Sequence, residues 1–382
     1  MIYFDNAATT FPKPPGVARA VFRAVEHMGG NPGRGGHALA LQSARAVYRV
    51  REQAAALFGL DRPENVIFTQ NCTHALNLLV YGLLRQGDRV VISDLEHNSV
   101  WRPLCDLRRR GVITLEVAET SLESQEQILA SFGAAITGGT RLVLCTHTSN
   151  VTGTVLPIAR IAALAHSRGA LMAVDAAQSA GTLDIDMKAM GLDFVCMPGH
   201  KGLYGPSGTG MLLIGCEQPL RPLMLGGTGS QSQLETAPAG YPDRLECGTA
   251  NVCGICGLGE GMAFVRQQTV RQLYAREFSL LQLADARLRN CKGVQLYTPE
   301  PRLGTAAPVL SFNVGGLSGE AAAQKLSGMG FALRGGLHCS PPAHRKLGTL
   351  ERGTVRIGIG AFNSVNEMWR LCKAIEKLQD WV

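Results

Sequence analysis

The sequence predicts an α/β fold: a large domain built on a mostly parallel, seven-stranded sheet, followed by a smaller α+β domain. Three observations carry that expectation. Between about residues 65 and 215, seven short apolar runs rich in β-branched residues recur without strict alternation, as expected for strands buried on both faces of a sheet. Stretches of helical character separate them, which is the signature of right-handed βαβ crossovers. Polar residues gather where the runs end, and ligands of open α/β sheets bind at the carboxyl ends of the strands.

Taken in order, the candidate strands are NVIFT (65–69), RVVIS (89–93), VITLEVA (112–118), RLVLCTH (141–147), LMAVD (171–175), FVCMP (194–198) and TGMLLI (209–214). HALNLLVYGLLRQG and PIARIAALAHSRG read as helices between them. The second begins at a proline and ends at a glycine, the usual polarity of helix punctuation. Residues 216–250 are loop-rich, and one long helical segment is expected over roughly 255–290. The tail returns to mixed structure, with strands VLSFNV (309–314) and TVRIGIG (354–360) and a last helix near 365–379. The domain expectation is therefore 15–255 for the large domain and 256–382 for the small one, joined by an N-terminal segment, 1–14.

Composition narrows the function classes. Of 382 residues, 46% are apolar and 18% charged, so the chain is globular rather than disordered. No apolar stretch approaches the ~20 residues that span a bilayer, and MIYFDNAATT lacks the pattern of a secretion signal. A cytoplasmic protein without a membrane partner is expected. The eleven cysteines follow no repeated spacing, which reads as reduced, mostly buried thiols rather than a disulfide framework. Cys253 and Cys256 form a lone C-x-x-C without a second pair at zinc-ligand spacing, so no metal is expected. The net charge of +7 is spread out, and its one compact basic run, Arg108 to Arg110, reads as a solvated helix end. Nucleic-acid binding is not expected; small anionic ligands are favoured.

The strand ends supply complementary chemistry. Asn71 to Thr73 would place helix N-terminal amides and a threonine hydroxyl where a phosphate binds well. Asp175, ending a buried strand, could keep a pyridinium nitrogen protonated, and His97 could stack on a flat ring. Lys201 sits in GHKGLYGPSGTG, just after an apolar strand. A lysine in a partly desolvated pocket near other cations has a lowered pKa and forms Schiff bases. The phosphate-loop spacing G-x-x-x-x-G-K-[ST] is absent. Phosphate, pyridinium and aldehyde together describe pyridoxal 5'-phosphate.

At these residues the chain resembles the class V aminotransferases, pyridoxal-phosphate enzymes of fold type I, and among them the cysteine desulfurases. The likeness runs from YFDNAATTFPKP through EHNS, THTSNVTGT, VDAAQSAG and GHKGLYGPSGTG to RLECGTAN, LRGGLHCS and VRIGIGAFNS. The resemblance implies that Lys201 carries the cofactor as a Schiff base and moves the substrate's Cα proton. It implies that His97 stacks on the ring, Asp175 pairs with the pyridine nitrogen and Gln178 touches the ring oxygen. Thr73 and His200 would hold the phosphate, with Cys72 in the same turn and Thr249 arriving from the second subunit of a homodimer. Asn150, Arg334 and Arg356 would serve the substrate carboxylate, which suits the guanidinium fork.

Cys339 lies in the glycine- and proline-rich stretch GGLHCSPP. By resemblance it takes the sulfur of L-cysteine as a persulfide while the amino acid leaves as alanine, and the short loop resembles the group that works with a sulfur-acceptor protein. Three departures mark a divergent subfamily: Pro198 where a serine is common, Cys72 where a threonine is common, and Gly202 inserted before LYGP. Selenocysteine lyase, another C–S lyase, an aminotransferase or an epimerase are the alternatives within the same cofactor chemistry. A sulfur-relay scaffold without catalysis is the alternative outside it; Lys201, Asp175 and His97 argue against it.

Overall fold

The computed structural model describes residues 1–33 and 35–378. Its strands are β1 (Ile2–Tyr3), β2 (Val66–Thr69), β3 (Asp88–Ser93), β4 (Ile113–Ala118), β5 (Thr140–Thr146), β6 (Leu171–Asp175), β7 (Phe194–Pro198), β8 (Gly210–Ile214), β9 (Val294–Leu296), β10 (Val309–Val314), β11 (Phe331–Ala332), β12 (Arg334–Gly336) and β13 (Thr354–Gly358). The helices of the first half are α1 (Pro15–His27), α2 (Ala38–Phe58), α3 (Cys72–Leu83), α4 (Asn98–Arg109), α5 (Gln125–Ala135), α6 (Ile158–His166) and α7 (Met187–Met190). Those of the second half are α8 (Val252–Gln268), α9 (Val270–Leu288), α10 (Gly319–Gly328), α11 (Pro341–Lys346) and α12 (Val365–Lys377). The expected end of the last helix at 379 lies outside the described residues.

Seven strands form the central sheet in the order β2-β8-β7-β6-β5-β3-β4. β3 through β7 run parallel, while β8 lies antiparallel between β7 and β2. The interior strands are apolar on both faces because each face has its own core. Val143, Val174 and Val195 enter one core, with α2, α6 and α8, whereas Leu142, Leu144 and Ala173 enter the other, with α3 and α4. Full burial of one such side chain is worth about 1.5–3 kcal/mol. β4 departs from the expectation of two-face burial. It is one of the two edge strands, and Thr114 and Glu116, which share a face, are exposed on it, whereas the other edge strand, β2, is mostly buried.

The tail is a four-stranded antiparallel sheet, β12-β13-β10-β9, packed on α9, α10 and α12. The expected single helix over 255–290 is two helices, broken at Thr269, which has φ +61 and caps α9 through its side chain. The expected domain boundary at 255/256 falls inside α8, which packs against α1 and α2. The N-terminal segment belongs with the tail: β1 pairs with β11, and Phe4 is buried in the C-terminal core.

Arg108 to Arg110 do end α4 on an exposed surface, with Asp106 bridging Arg109 and Arg110. The cysteines are less buried than expected. Cys72, Cys145, Cys196 and Cys372 are buried, six are half-buried, Cys339 is exposed, and no disulfide forms among the described residues. No helix among the described residues is long and apolar enough to cross a membrane.

Candidate active site

The carboxyl ends of β3, β5, β6 and β7 converge on one cavity of about 220 Å³, closed from the other side by β12, β13 and the loop after β12. Asp175 is the last residue of β6 and is 2% exposed. Its Oδ1 accepts the Ala177 N–H at 2.9 Å and lies 3.6 Å from Cys72 Sγ. Burial raises its pKa, and Lys201 and these two donors pull it back down. Lys201 follows β7 and is held away from bulk solvent. Desolvation lowers its pKa, Arg356 adds to the fall, and Asp175 opposes it.

His97 caps α4, its Nδ1 accepting the Ser99 N–H at 3.1 Å. That contact leaves the proton of the neutral ring on Nε2. Burial, then Lys201, Arg356 and Arg334, push its pKa down to about 4, so the imidazole is uncharged at neutral pH. At the neighbouring end, Asn71 caps α3 by accepting the His74 N–H at 2.9 Å, which presents Cys72 and Thr73 at the helix start. The N-terminal segment braces the loop that carries the lysine. The His200 carbonyl accepts from Thr9 Oγ1, Thr10 N–H, Thr10 Oγ1 and Lys13 Nζ, the last at 2.7 Å. Gln178 Nε2 donates to the Ala7 carbonyl at 3.0 Å.

On the facing wall, Arg356 projects from β13 and is 2% exposed. Its Nη2 meets Asp5 Oδ1 at 3.2 Å and its Nη1 donates to the Asn150 carbonyl at 3.1 Å. Arg334, on β12, reaches Cys339 with Nη2 3.9 Å from Sγ. Cys339 is exposed and lies on the cavity wall, and both it (φ +58) and His338 (φ +49) occupy the left-handed region.

A family profile described as Aminotransferase class-V matches residues 2–371. The chain belongs to the class V aminotransferase family. It is 34% identical to a probable cysteine desulfurase of Methanothermobacter thermautotrophicus, over 99% of this chain and 94% of that one. It is 33% identical to a probable cysteine desulfurase of Mycolicibacterium paratuberculosis, of which it spans 56% of the length. Among solved structures it resembles the apo cysteine desulfurase of Thermococcus onnurineus, with a TM-score of 0.91, 31% identity, and 100% and 95% of the two chains covered. The fold is fold type I of the pyridoxal-phosphate enzymes.

With the exception of Thr249, all the site residues expected from the sequence line this class V cavity. Thr249 is exposed on a loop and lines a separate cleft with Gln70, His74 and Glu246. Two residues point differently from expectation. The Cys72 thiol faces Asp175 rather than a phosphate turn. The Asn150 amide is engaged by the cysteine loop, Nδ2 donating to the His338 carbonyl at 2.7 Å and Oδ1 accepting from Ser340 Oγ at 2.6 Å. The inserted Gly202 has a packing reason: a Cβ there would stand 2.4 Å from the Ala180 carbonyl oxygen.

The cavity fits pyridoxal phosphate. His200 Nδ1, Thr148 Oγ1 and Arg356 Nε are buried there without a partner among the described residues, and each is a group that an anionic ligand would satisfy. Asp5, Lys13, Glu96 and Ser340 were not singled out by sequence reasoning. Glu96 is fully buried, accepting from Ser93 and from the Thr146 N–H, and desolvation raises its pKa to about 8. Its place in EHNS, beside His97, was the available signal.

Proposed function

We propose that the chain is a pyridoxal-phosphate-dependent cysteine desulfurase that moves sulfur from L-cysteine to Cys339 and releases L-alanine. The observation that carries this reading is Cys339: an exposed thiol on the lip of the cavity that also holds Lys201 and Asp175, with Arg334 beside its sulfur. When bound, the cofactor supplies an electron sink for the bonds at the substrate's Cα and Cβ.

The remaining work falls to the chain's own residues. Lys201, with its lowered pKa, holds the cofactor and moves the proton at the substrate Cα. Asp175 would keep a proton at the pyridine nitrogen, and the neutral ring of His97 would stack on the cofactor ring. Thr73 and His200 bind the phosphate and Gln178 the ring oxygen. Arg356 takes the substrate carboxylate in its fork, with Asn150 and Arg334 beside it. The Cys339 thiolate attacks the substrate sulfur. A sulfur–sulfur bond forms as the Cβ–S bond breaks, and the carbon skeleton takes up protons at Cα and Cβ to leave as alanine.

A homodimer completes the site. Thr249 is exposed and lines a cleft other than its own chain's cavity, so in this reading it serves the phosphate of a second copy. The exposed apolar side chains of Phe22, Val25, Leu41 and Leu225 provide surface for such a contact. The persulfide on an exposed loop suits transfer to a sulfur-acceptor protein in the cytoplasm, including one that feeds iron–sulfur cluster assembly.

The test is a substrate panel with and without a reductant. L-cysteine should give alanine and sulfide, and Cys339→Ala should abolish both while still binding cofactor. Selenocysteine turnover that survives Cys339→Ala alongside negligible cysteine turnover would move the assignment to a selenocysteine lyase.

A further inference from the structure

We propose that Ser340 is a positioning residue that, through Asn150, latches the Cys339 loop in its strained form and so fixes the sulfur on the cavity wall. Two successive non-glycine residues, His338 and Cys339, stand at positive φ, a conformation that persists only where surrounding contacts impose it. Those contacts are specific. The Asn98 N–H donates to the Cys339 carbonyl at 2.7 Å, and Asn150 Nδ2 donates to the His338 carbonyl at 2.7 Å. Ser340 Oγ donates to Asn150 Oδ1 at 2.6 Å, and the Ser340 N–H closes a turn onto the Leu337 carbonyl at 2.9 Å.

Ser340 stands at the N-cap of α11, where a serine ordinarily binds its own helix's free amides. Here it makes no capping bond among the described residues. Pro341 and Pro342 follow it and carry no N–H, so of the usual capping donors only the Ala343 N–H remains, and the hydroxyl's own proton goes to Asn150 Oδ1. The two contacts agree on one amide orientation, because the reversed amide would set Oδ1 against the His338 carbonyl. Asn150 is the joint between the loop and the anion-binding wall: its own carbonyl accepts from Arg356 Nη1 at 3.1 Å. Its amide nitrogen keeps a second N–H for a carboxylate in the cavity. Ser340 itself is fully buried and stands behind the cavity wall, so it acts through Asn150 rather than on a ligand.

The catalytic consequence rests on the desulfurase reading, whereas the latch itself does not. The test therefore has two arms. In the apo-protein, amide hydrogen exchange of residues 337–340 is compared in parent, Ser340→Ala, Asn150→Ala and the double variant. Loss of one hydrogen bond to the latch should raise exchange in this loop by about fivefold to tenfold, with β6 and β13 unchanged. The double variant should exchange no faster than Asn150→Ala, since both act on one joint. Unchanged exchange in Ser340→Ala, or additive effects in the double variant, overturns the latch. If Ser340→Ala does not fold, Asn150→Ala reads the same loop, and unchanged exchange there overturns the latch equally.

In the holoenzyme, Ser340→Ala should lower kcat with L-cysteine by a larger factor than it weakens alanine binding, since Arg356 keeps its place on the carboxylate. Parent turnover kept in a variant whose loop exchanges faster would overturn the positioning role. A parent enzyme inactive on cysteine would overturn the desulfurase reading and leave the exchange result standing.

Discussion

Arg356 and Asp5 meet at 3.2 Å although 351 positions separate them in the chain. The pair ties the N-terminal segment to β13 and sets a buried guanidinium on the wall of the cavity. Asp5 is itself partly open to solvent, its side chain 22% exposed, against 2% for Arg356. Removing Asp5 would leave an arginine buried beside Arg334 with less to balance it.

Asp5→Ala should therefore destabilise the protein by roughly 2–3 kcal/mol, discounted for the partial exposure of the carboxylate. A small carboxylate such as alanine should stabilise the variant more than the parent, because it replaces the lost charge. Urea unfolding with and without alanine measures both. An equal shift in the two proteins would show that Arg356 does not face the ligand.

Glu277 gives a prediction about alkaline pH. It is buried on α9, near the Tyr204 hydroxyl at 3.4 Å, and desolvation raises its pKa to about 8. Its folded pKa lies above the unfolded carboxylate value, so the stability tied to its proton is complete below pH ~4.5 and is lost as pH rises through about 8. Glu277→Gln should match the parent at pH 4.5 and exceed it by roughly 2–4 kcal/mol at pH 8. Chemical denaturation across that range reads the difference, and a constant offset would refute a neutral Glu277.

Histidine burial acts at the other end of the scale. His147 is 5% exposed, and desolvation lowers its pKa to about 4. A depressed histidine leaves stability intact above the unfolded value of ~6.5 and removes it as pH falls toward 4. His147→Asn should flatten that acid limb by roughly 2–3 kcal/mol. An unchanged limb would mean that the ring titrates normally in the folded chain.

Gly202→Ala tests the inserted glycine. The new methyl would meet the Ala180 carbonyl oxygen at 2.4 Å, a backbone atom that cannot withdraw cheaply, and Thr182 Oγ1 at 2.8 Å. A loss of roughly 1–3 kcal/mol is expected, together with weaker cofactor retention because Lys201 is the adjacent residue. Parent-like stability and cofactor content would show that the loop accommodates the methyl.

Much of the fold was legible because each interior strand feeds two cores, so Val143 and Leu144 are both apolar and the run reads as a buried strand. β4 misled because Thr114 and Glu116 project from a face left open at the sheet's margin, although Ile113 and Ala118 at its ends still reach the two cores. The break at Thr269 was hidden because residues on both sides are good helix formers and the turn comes from one left-handed residue. The site was legible where chemistry sits at strand ends, as with Asp175, His97 and Lys201. It was not legible where it depends on which partner a side chain chooses. Nothing local in the sequence says that the Cys72 thiol turns to Asp175, or that Ser340 forgoes its own helix for Asn150, 190 positions away.

The most direct measurement is mass spectrometry of the Cys339 peptide after the holoenzyme has met L-cysteine without reductant. One added sulfur on that peptide, with alanine formed in equal amount, is the predicted result. An unmodified Cys339 in an enzyme that still makes alanine from cysteine would contradict the account.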